Sequence, residues 1–258
     1  MNKGINIAVI GNDTRLYYCA ERLRSKGIRA VQYSDGSAPK DTEYYLFAPP
    51  LTTSMLLAAG SVKEGVTVFA GAVGTEEKQA VTSRGGRIID YCENEHFASE
   101  NACLTAEAAM TVYIGASASS FNRAKVLISG FGRIGKALTA RLKAHGAYVT
   151  VSARKLTDIE LIRAYGCTPM ETAAISGEYD VIFNTVPARI FTRDTIDRTT
   201  TDHYIELASP PYGIETKKAW GGKTNVILAS GLPGKVLPVS AGKLIAETVC
   251  TLLNDTGI

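Results

Sequence analysis

Short β-branched apolar runs alternate with amphipathic stretches from one end of the chain to the other, a rhythm that predicts parallel strands joined by crossover helices. In the first half the strands are expected at Ile5 to Ile10, Ile28 to Tyr33, Tyr44 to Ala48, Val66 to Ala70 and Arg87 to Tyr91, with helices over Thr14 to Ser25, Thr53 to Ala59 and Glu76 to Ser83. The second half repeats the pattern with strands at Lys125 to Ser129, Tyr148 to Ser152, Asp180 to Thr185, His203 to Ala208 and Asn225 to Ala229. Between the halves, Asn101 to Ala118 is rich in Ala, Thr and Ser and too long for a strand, so it reads as a connecting helix at the domain boundary. Ser240 is expected to cap a terminal helix, Ala241 to Leu253, stopped by Asn254 and Gly257. The expected fold class is α/β: two Rossmann-like domains, each a parallel sheet flanked by helices. The first spans 1–102 and is completed by the terminal helix 240–258; the second spans 103–239.

A chain of 258 residues, 45% hydrophobic and 21% charged, is long enough for two such cores. Its net charge of +3 comes from mixed charges without basic runs, which argues against nucleic acid as a partner. Cys19, Cys92, Cys103, Cys167 and Cys250 are far apart and lack a C-x-x-C spacing, so neither a disulfide framework nor a metal site is expected. Met1 to Gly4 lead straight into the first strand without a secretory pattern, and no apolar run approaches the roughly 20 residues that span a bilayer. A cytoplasmic protein away from the membrane is the resulting expectation.

The chemistry begins at Lys125-Val126-Leu127-Ile128-Ser129, an apolar strand followed at once by Gly130-Phe131-Gly132-Arg133-Ile134-Gly135 and an amphipathic helix. A lone G-x-G-x-x-G is weak; placed between a strand and a helix it is a specific signal for a dinucleotide. Gly130 allows the tight turn, Gly132 admits a pyrophosphate to the backbone, and Gly135 lets helix and strand pack closely. The next strand ends Val151-Ser152-Ala153-Arg154-Lys155. An NAD site usually carries a carboxylate there; Arg154 can instead hold a 2′-phosphate and Ser152 can donate to it, so NADP is the expected cofactor. Asn184, Thr185, Val186 and Pro187 are expected beside the nicotinamide ribose, with Ala208 and Ser209 further along. Both segments also read plainly as strand-ending turns. The first domain offers only Gly11-Asn12-Asp13 after its opening strand, which suits it to substrate rather than dinucleotide.

No acid or base stands out. His145 reads as a helix C-terminal residue, His203 as the start of a strand, and His96 as a polar loop residue. A G-x-S-x-G elbow is missing. Groups suited to an anionic substrate are Asp13, Arg15, Thr52, Thr53, Thr105, Glu107 and Ser240; each alone reads more simply as a cap or a surface charge, and it is their common placement at expected strand ends or helix starts that favours a ligand. Ser209 joins them as a substrate contact.

The carboxyl-terminal half resembles the A-subunit family of dipicolinate synthases. The resemblance is carried by Val126 to Gly135, Ser152-Ala153-Arg154, Asn184 to Pro187, Leu207 to Gly213 and above all Gly231-Leu232-Pro233-Gly234-Lys235-Val236-Leu237-Pro238-Val239-Ser240-Ala241-Gly242. The first domain matches more loosely, through Ile7 to Gly11, Asp13 and Arg15, and is shorter than the family leads one to expect. Val239 stands where the family's form carries a Lys, which removes a possible substrate cation. The resemblance implies oxidation of dihydrodipicolinate, a dicarboxylate, to pyridine-2,6-dicarboxylate with NADP during spore formation. It also implies a flavoprotein-like B-subunit as partner and cofactor contacts from Gly231, Leu232 and Pro233. Glu107 is the candidate base, its plain alternative being a helix-start carboxylate. Two other readings stay open: a 2-hydroxy-acid dehydrogenase, whose Arg and His-Glu constellation is missing here, and a non-catalytic NADP-binding protein. The expected assembly is a homodimer, as is common for dehydrogenases of this architecture.

Overall fold

A computed structural model of the protein describes residues 5–39, 41–60, 64–216 and 218–255. Met1 to Gly4 and Gly257, both invoked above, lie outside them. The chain forms two compact units, one of Met1–Asn101 with Pro233–Ile258 and one of Ala102–Leu232. Each is built on a parallel sheet, which is the α/β class read from the periodicity.

The sheet of the first unit runs β2 (Arg29–Tyr33), β1 (Asn6–Ile10), β3 (Tyr44–Phe47), β4 (Thr67–Ala70), β5 (Arg87–Asp90). Its three central strands, β1, β3 and β4, are near-continuous apolar runs, as expected of a parallel sheet covered on both faces, and β4 is buried at every position, whereas the edge strands β2 and β5 carry Arg29, Gln32, Arg87 and Asp90. Helix α1 (Thr14–Ser25) is capped by the Asp13 carboxylate, which accepts from the Arg15 N–H at 2.8 Å. Helices α2 (Thr53–Ala58) and α3 (Thr75–Thr82) follow. The last helix, α9 (Pro238–Asp255), packs on α1 so closely that a Cβ at Gly242 would lie 2.3 Å from the Arg15 carbonyl oxygen. The sheet order 2-1-3-4-5 reverses between β1 and β3. The turns after those two strands are joined by Arg15, which binds Asp13 bidentately at 2.9 and 2.8 Å and donates to the Pro49 carbonyl at 2.8 Å.

Helix α4 (Glu95–Ser117) carries the chain into the second unit. There the sheet runs β11 (Asn225–Leu228), β10 (Thr199–Glu206), β9 (Gly177–Asn184), β6 (Lys125–Ser129), β7 (Tyr148–Ala153), β8 (Thr168–Glu171). Numbered within the unit, this is 6-5-4-1-2-3, the strand order of dinucleotide-binding domains, with its reversal between β6 and β9. Helices α5 (Arg133–Ala144), α6 (Leu156–Ala164) and α7 (Arg193–Asp197) complete this unit, and the short α8 (Leu232–Val236) carries the chain back into the first. One face of the sheet is sealed by a cluster of Leu127, Ile182, Phe191, Tyr204 and Ile214 with Trp220 against it.

Several expectations are corrected. Helix α4 begins at Glu95, so Thr105 and Glu107 lie in a helix interior rather than at a start, and His96 is in a first turn rather than a loop. Helix α9 begins at Pro238, placing Ser240 inside the first turn instead of at the cap; proline lacks only an N–H that a first turn does not use. Strand β10 begins at Thr199, so His203 lies within it. Its polar-looking Thr-Thr-Thr start is accommodated because Thr199 donates to the Thr195 carbonyl at 2.7 Å and Thr201 to that of His203 at 2.9 Å. Strand β8 went unread: Thr-Pro-Met-Glu has no apolar period, and its proline is tolerated because the strand is at the sheet edge.

Candidate dinucleotide site

The reversal between β6 and β9 is where an open α/β sheet offers a crevice. Gly130 follows β6 with φ +94°, and a side chain there would strike Thr185 Oγ1 at 2.6 Å and Val186 Cγ2 at 2.7 Å. Gly135, in the first turn of α5, leaves no room either: its Cβ would stand 2.1 Å from the Gly130 carbonyl oxygen. Gly132 is the opposite case, with nothing within 4 Å of an added Cβ. It is the N-cap of α5 yet makes no side-chain capping bond, and the first turn of α5 has no acidic residue. The N-cap thus offers no side chain to the helix start and leaves open space where a Cβ would stand, the room a pyrophosphate needs beside the partial positive charge of a helix start. The residues present fit a dinucleotide.

Strand β7 delivers Ala153 and then Arg154, which is exposed. Ser152 is placed differently from expectation. Its hydroxyl is fully buried and, like that of its register partner Ser129, makes no hydrogen bond, so it does not face the solvent side where a 2′-phosphate would sit. On β9 the strand end is tied down tightly. Thr185 donates its hydroxyl to the Ser129 carbonyl at 2.7 Å, and the Asn184 amide grips the backbone of Val186 at both its N–H (3.2 Å) and its carbonyl (3.0 Å). Pro187 is exposed just beyond.

Behind this edge lies a group that the sequence reading passed over. Ser152, Ser129, Asn184 and Glu206 are register partners across β7, β6, β9 and β10, one polar row on one face, each with 0% exposure. Glu206 accepts four hydrogen bonds: from Asn184 Nδ2 at 2.6 Å, Tyr204 OH at 2.8 Å, the Gly213 N–H at 2.8 Å and the Ala208 N–H at 3.2 Å. Burial pushes its carboxyl above the ordinary range, and the four donors oppose that shift without cancelling it. Tyr204, buried against the same carboxylate, is pushed well up. Gly213 must be glycine here, since a Cβ would meet Asn184 Nδ2 at 2.3 Å and Tyr204 OH at 2.6 Å. The available signal was a carboxylate inside the apolar run Tyr204-Ile205-Glu206-Leu207, where a buried charge has to be paired.

The remaining candidates are scattered. Ser209 is exposed after the buried Ala208; Gly231, with φ +68°, is exposed, whereas Leu232 and Pro233 are buried. Arg133 is exposed and Ile134 half-buried in the first turn of α5. Thr105 is buried and Glu107 exposed on α4. In the first unit Arg15 is held by Asp13 and Pro49, Thr52 caps α2 through Met55 N–H at 3.4 Å, and Thr53 donates to Glu77 at 2.8 Å. Ser240 is exposed on α9. Among the described residues no group of three or more His, Cys, Asp or Glu is arranged to hold a metal ion, and no helix is long and apolar enough to cross a membrane.

Residues 86–205 match the D-isomer specific 2-hydroxyacid dehydrogenase, NAD binding domain family. Strand order, glycine turn and this match agree on an NAD(P)-binding domain, similar over these residues to that of 2-hydroxyacid dehydrogenases. The A-subunit of dipicolinate synthase from Bacillus subtilis is 28% identical over 173 residues, which are 66% of this chain and 58% of the length of that relative. The crystal structure of the dipicolinate synthase A-subunit from the same organism superposes with a TM-score of 0.82 at 23% identity, covering 100% of this chain and 98% of that one. The corresponding structure from Bacillus halodurans gives 0.80 at 22% identity, covering 98% and 99%. The resemblance read from the sequence is borne out: the chain is similar to dipicolinate synthase A-subunits in sequence over part of its length and in fold throughout.

Proposed function

We propose that this protein is an NADP-dependent oxidoreductase that converts dihydrodipicolinate to dipicolinate, in the manner suggested by its relatives, in the cytoplasm of a spore-forming cell. The observation that carries the reading is the open cradle at Gly132 on the uncapped start of α5, set beside a strand end that offers Arg154 and no carboxylate. In this reading Gly130, Gly132, Arg133, Ile134 and Gly135 hold the pyrophosphate, and Arg154 holds the 2′-phosphate as a bidentate donor. The Asn184–Pro187 and Ala208–Ser209 turns, with Gly231, Leu232 and Pro233, line the nicotinamide end. When bound, the cofactor accepts hydride from the substrate.

The oxidation balances as loss of a hydride to NADP and of one proton to a base, with the dihydropyridine ring becoming aromatic. Glu107, exposed on α4, is the candidate for that proton. Arg15 at the strand-order reversal of the first unit is the cation proposed for a substrate carboxylate, with Asp13, Thr52, Thr53, Thr105, Ser209 and Ser240 as further polar contacts. A flavoprotein-like B-subunit and a second copy of this chain are the proposed partners. The test supplies NADP and freshly generated dihydrodipicolinate to the protein, alone and together with that flavoprotein-like partner. Absorbance of the reduced cofactor is expected; none under either condition contradicts the reading. The dehydrogenase domain match favours one alternative, reduction of a 2-keto acid, and turnover in a 2-keto acid screen with NADPH would select it.

A further inference from the structure

Glu206 belongs to no part of the site assigned above, yet its connections lead there. A carboxylate only accepts, so each of its four partners must present a donor. That requirement fixes the Asn184 side chain with its NH2 toward Glu206 and its carbonyl oxygen toward the Val186 N–H. Val186 in turn, with Thr185, stands where a side chain at Gly130 would strike, at 2.7 Å. A chain of contacts therefore runs from β10 through β9 to the glycine turn after β6. The same carboxylate also holds the Ala208 N–H, on the oxygen Oε1 that takes Asn184, and the Gly213 N–H, on Oε2, and so the segment that carries Ser209.

We propose that Glu206 is a positioning residue that sets both strand-end turns, 185–187 and 208–213, as the wall of the nicotinamide half of the dinucleotide site. The assignment rests on the dinucleotide reading of this edge. Glu206 touches no reacting atom; it acts through Asn184 and through two backbone amides. Replacing it by glutamine changes almost no volume but puts an NH2 group against donors. At one carboxylate oxygen the new NH2 faces the Gly213 N–H. At the other it faces the Ala208 N–H and forces the Asn184 amide to turn, which reverses both of its bonds to Val186. The first orientation releases the 208–213 segment and the second disturbs both turns, while Gly132, the α5 N-terminus and Arg154 are untouched.

The experiment compares binding of NADPH with binding of 2′-phospho-ADP-ribose, which is NADPH without its nicotinamide, to wild type and to Glu206→Gln. The expected result is a loss of NADPH affinity of about tenfold, the scale of one hydrogen bond to a charged group, with 2′-phospho-ADP-ribose affinity within about twofold. Glu206→Asp keeps an acceptor-only group but shortens its reach, and it should show the same selective loss. Tyr204→Phe removes one donor outside the Val186 path and should leave both affinities close to wild type. Glu206 variants that lose both ligands equally, fail to fold, or bind NADPH as wild type does would each overturn the assignment, as would a Tyr204→Phe protein that loses NADPH as strongly as Glu206→Gln. A wild-type protein that binds neither probe points instead to failure of the dinucleotide reading itself.

Discussion

Gly132→Ala and Gly135→Ala each add one methyl to the same turn, and their effects should separate cleanly. At Gly132 the backbone is extended with φ −76° and a Cβ meets nothing within 4 Å, so the free protein loses little: glycine and alanine differ at a helix N-cap by up to about 1 kcal/mol. The methyl does stand where a pyrophosphate would approach the α5 N–H groups. Loss of that approach should weaken NADPH by tenfold or more, about 1.4 kcal/mol. At Gly135, alanine gains about 1 kcal/mol in helix propensity, but its Cβ falls 2.1 Å from the Gly130 carbonyl oxygen, well inside the 3.0 Å that real Cβ contacts respect. The obstacle is backbone, which cannot rotate away, so the overpacking cost belongs at or above the upper end of about 1–3 kcal/mol. The net is a destabilisation of about 2 kcal/mol and a melting shift of several degrees. Thermal melts with and without NADPH read both quantities. Gly132→Ala binding NADPH as wild type does, or Gly135→Ala melting at the wild-type temperature, would refute this account of the turn.

Other expectations follow from the same kind of geometry. Gly242→Ala puts a Cβ 2.3 Å from the Arg15 carbonyl and 3.0 Å from the Cys19 backbone nitrogen, so the α1–α9 contact should cost about 1–3 kcal/mol, less about 1 for propensity, seen as a lower urea midpoint. Asp13 is partly desolvated, which raises its carboxyl pKa, but the hydrogen bonds and charge of Arg15 outweigh this and hold it below its ordinary value. Its folded value lies below the unfolded one, so its stabilisation is present above about pH 4 and lost as the pH falls through the folded value. Asp13→Asn should lower stability at neutral pH and flatten the acid limb of the stability curve; an acid limb as steep as in wild type would contradict that. Glu107→Gln should abolish turnover with NADPH binding unchanged, and full turnover would remove Glu107 as the base.

What was legible in the sequence was what repeats. Parallel strands buried on both faces write apolar runs, and α1, β6 and β11 were located to within a residue because run and turn residues agree. The glycine turn was legible because each glycine answers a separate steric demand. The specific run from Gly231 to Gly242 was read as chemistry. In the first unit two of its glycines are packing sites, Gly234 lying against the Arg15 guanidinium, where a Cβ would be 2.7 Å from Nε, and Gly242 against the α1 backbone. Glu206 was missed because a carboxylate in a strand carries no period and no motif; its meaning lies in four donors brought from Asn184, Tyr204, Ala208 and Gly213. Ser152 was assigned to the ligand because its place in the sequence was right, but β7 is buried on both faces through Val151, Ser152 and Ala153, and its hydroxyl is enclosed with it.

The most direct test of the central claim is a titration of wild type and Arg154→Ala with NADPH and with NADH, followed by the fluorescence of the reduced nicotinamide. The account predicts that wild type binds NADPH more tightly than NADH, and that Arg154→Ala weakens NADPH alone, by about tenfold for a lost charge-assisted phosphate contact. Equal affinity of wild type for the two, or an equal effect of the substitution on both, would contradict it.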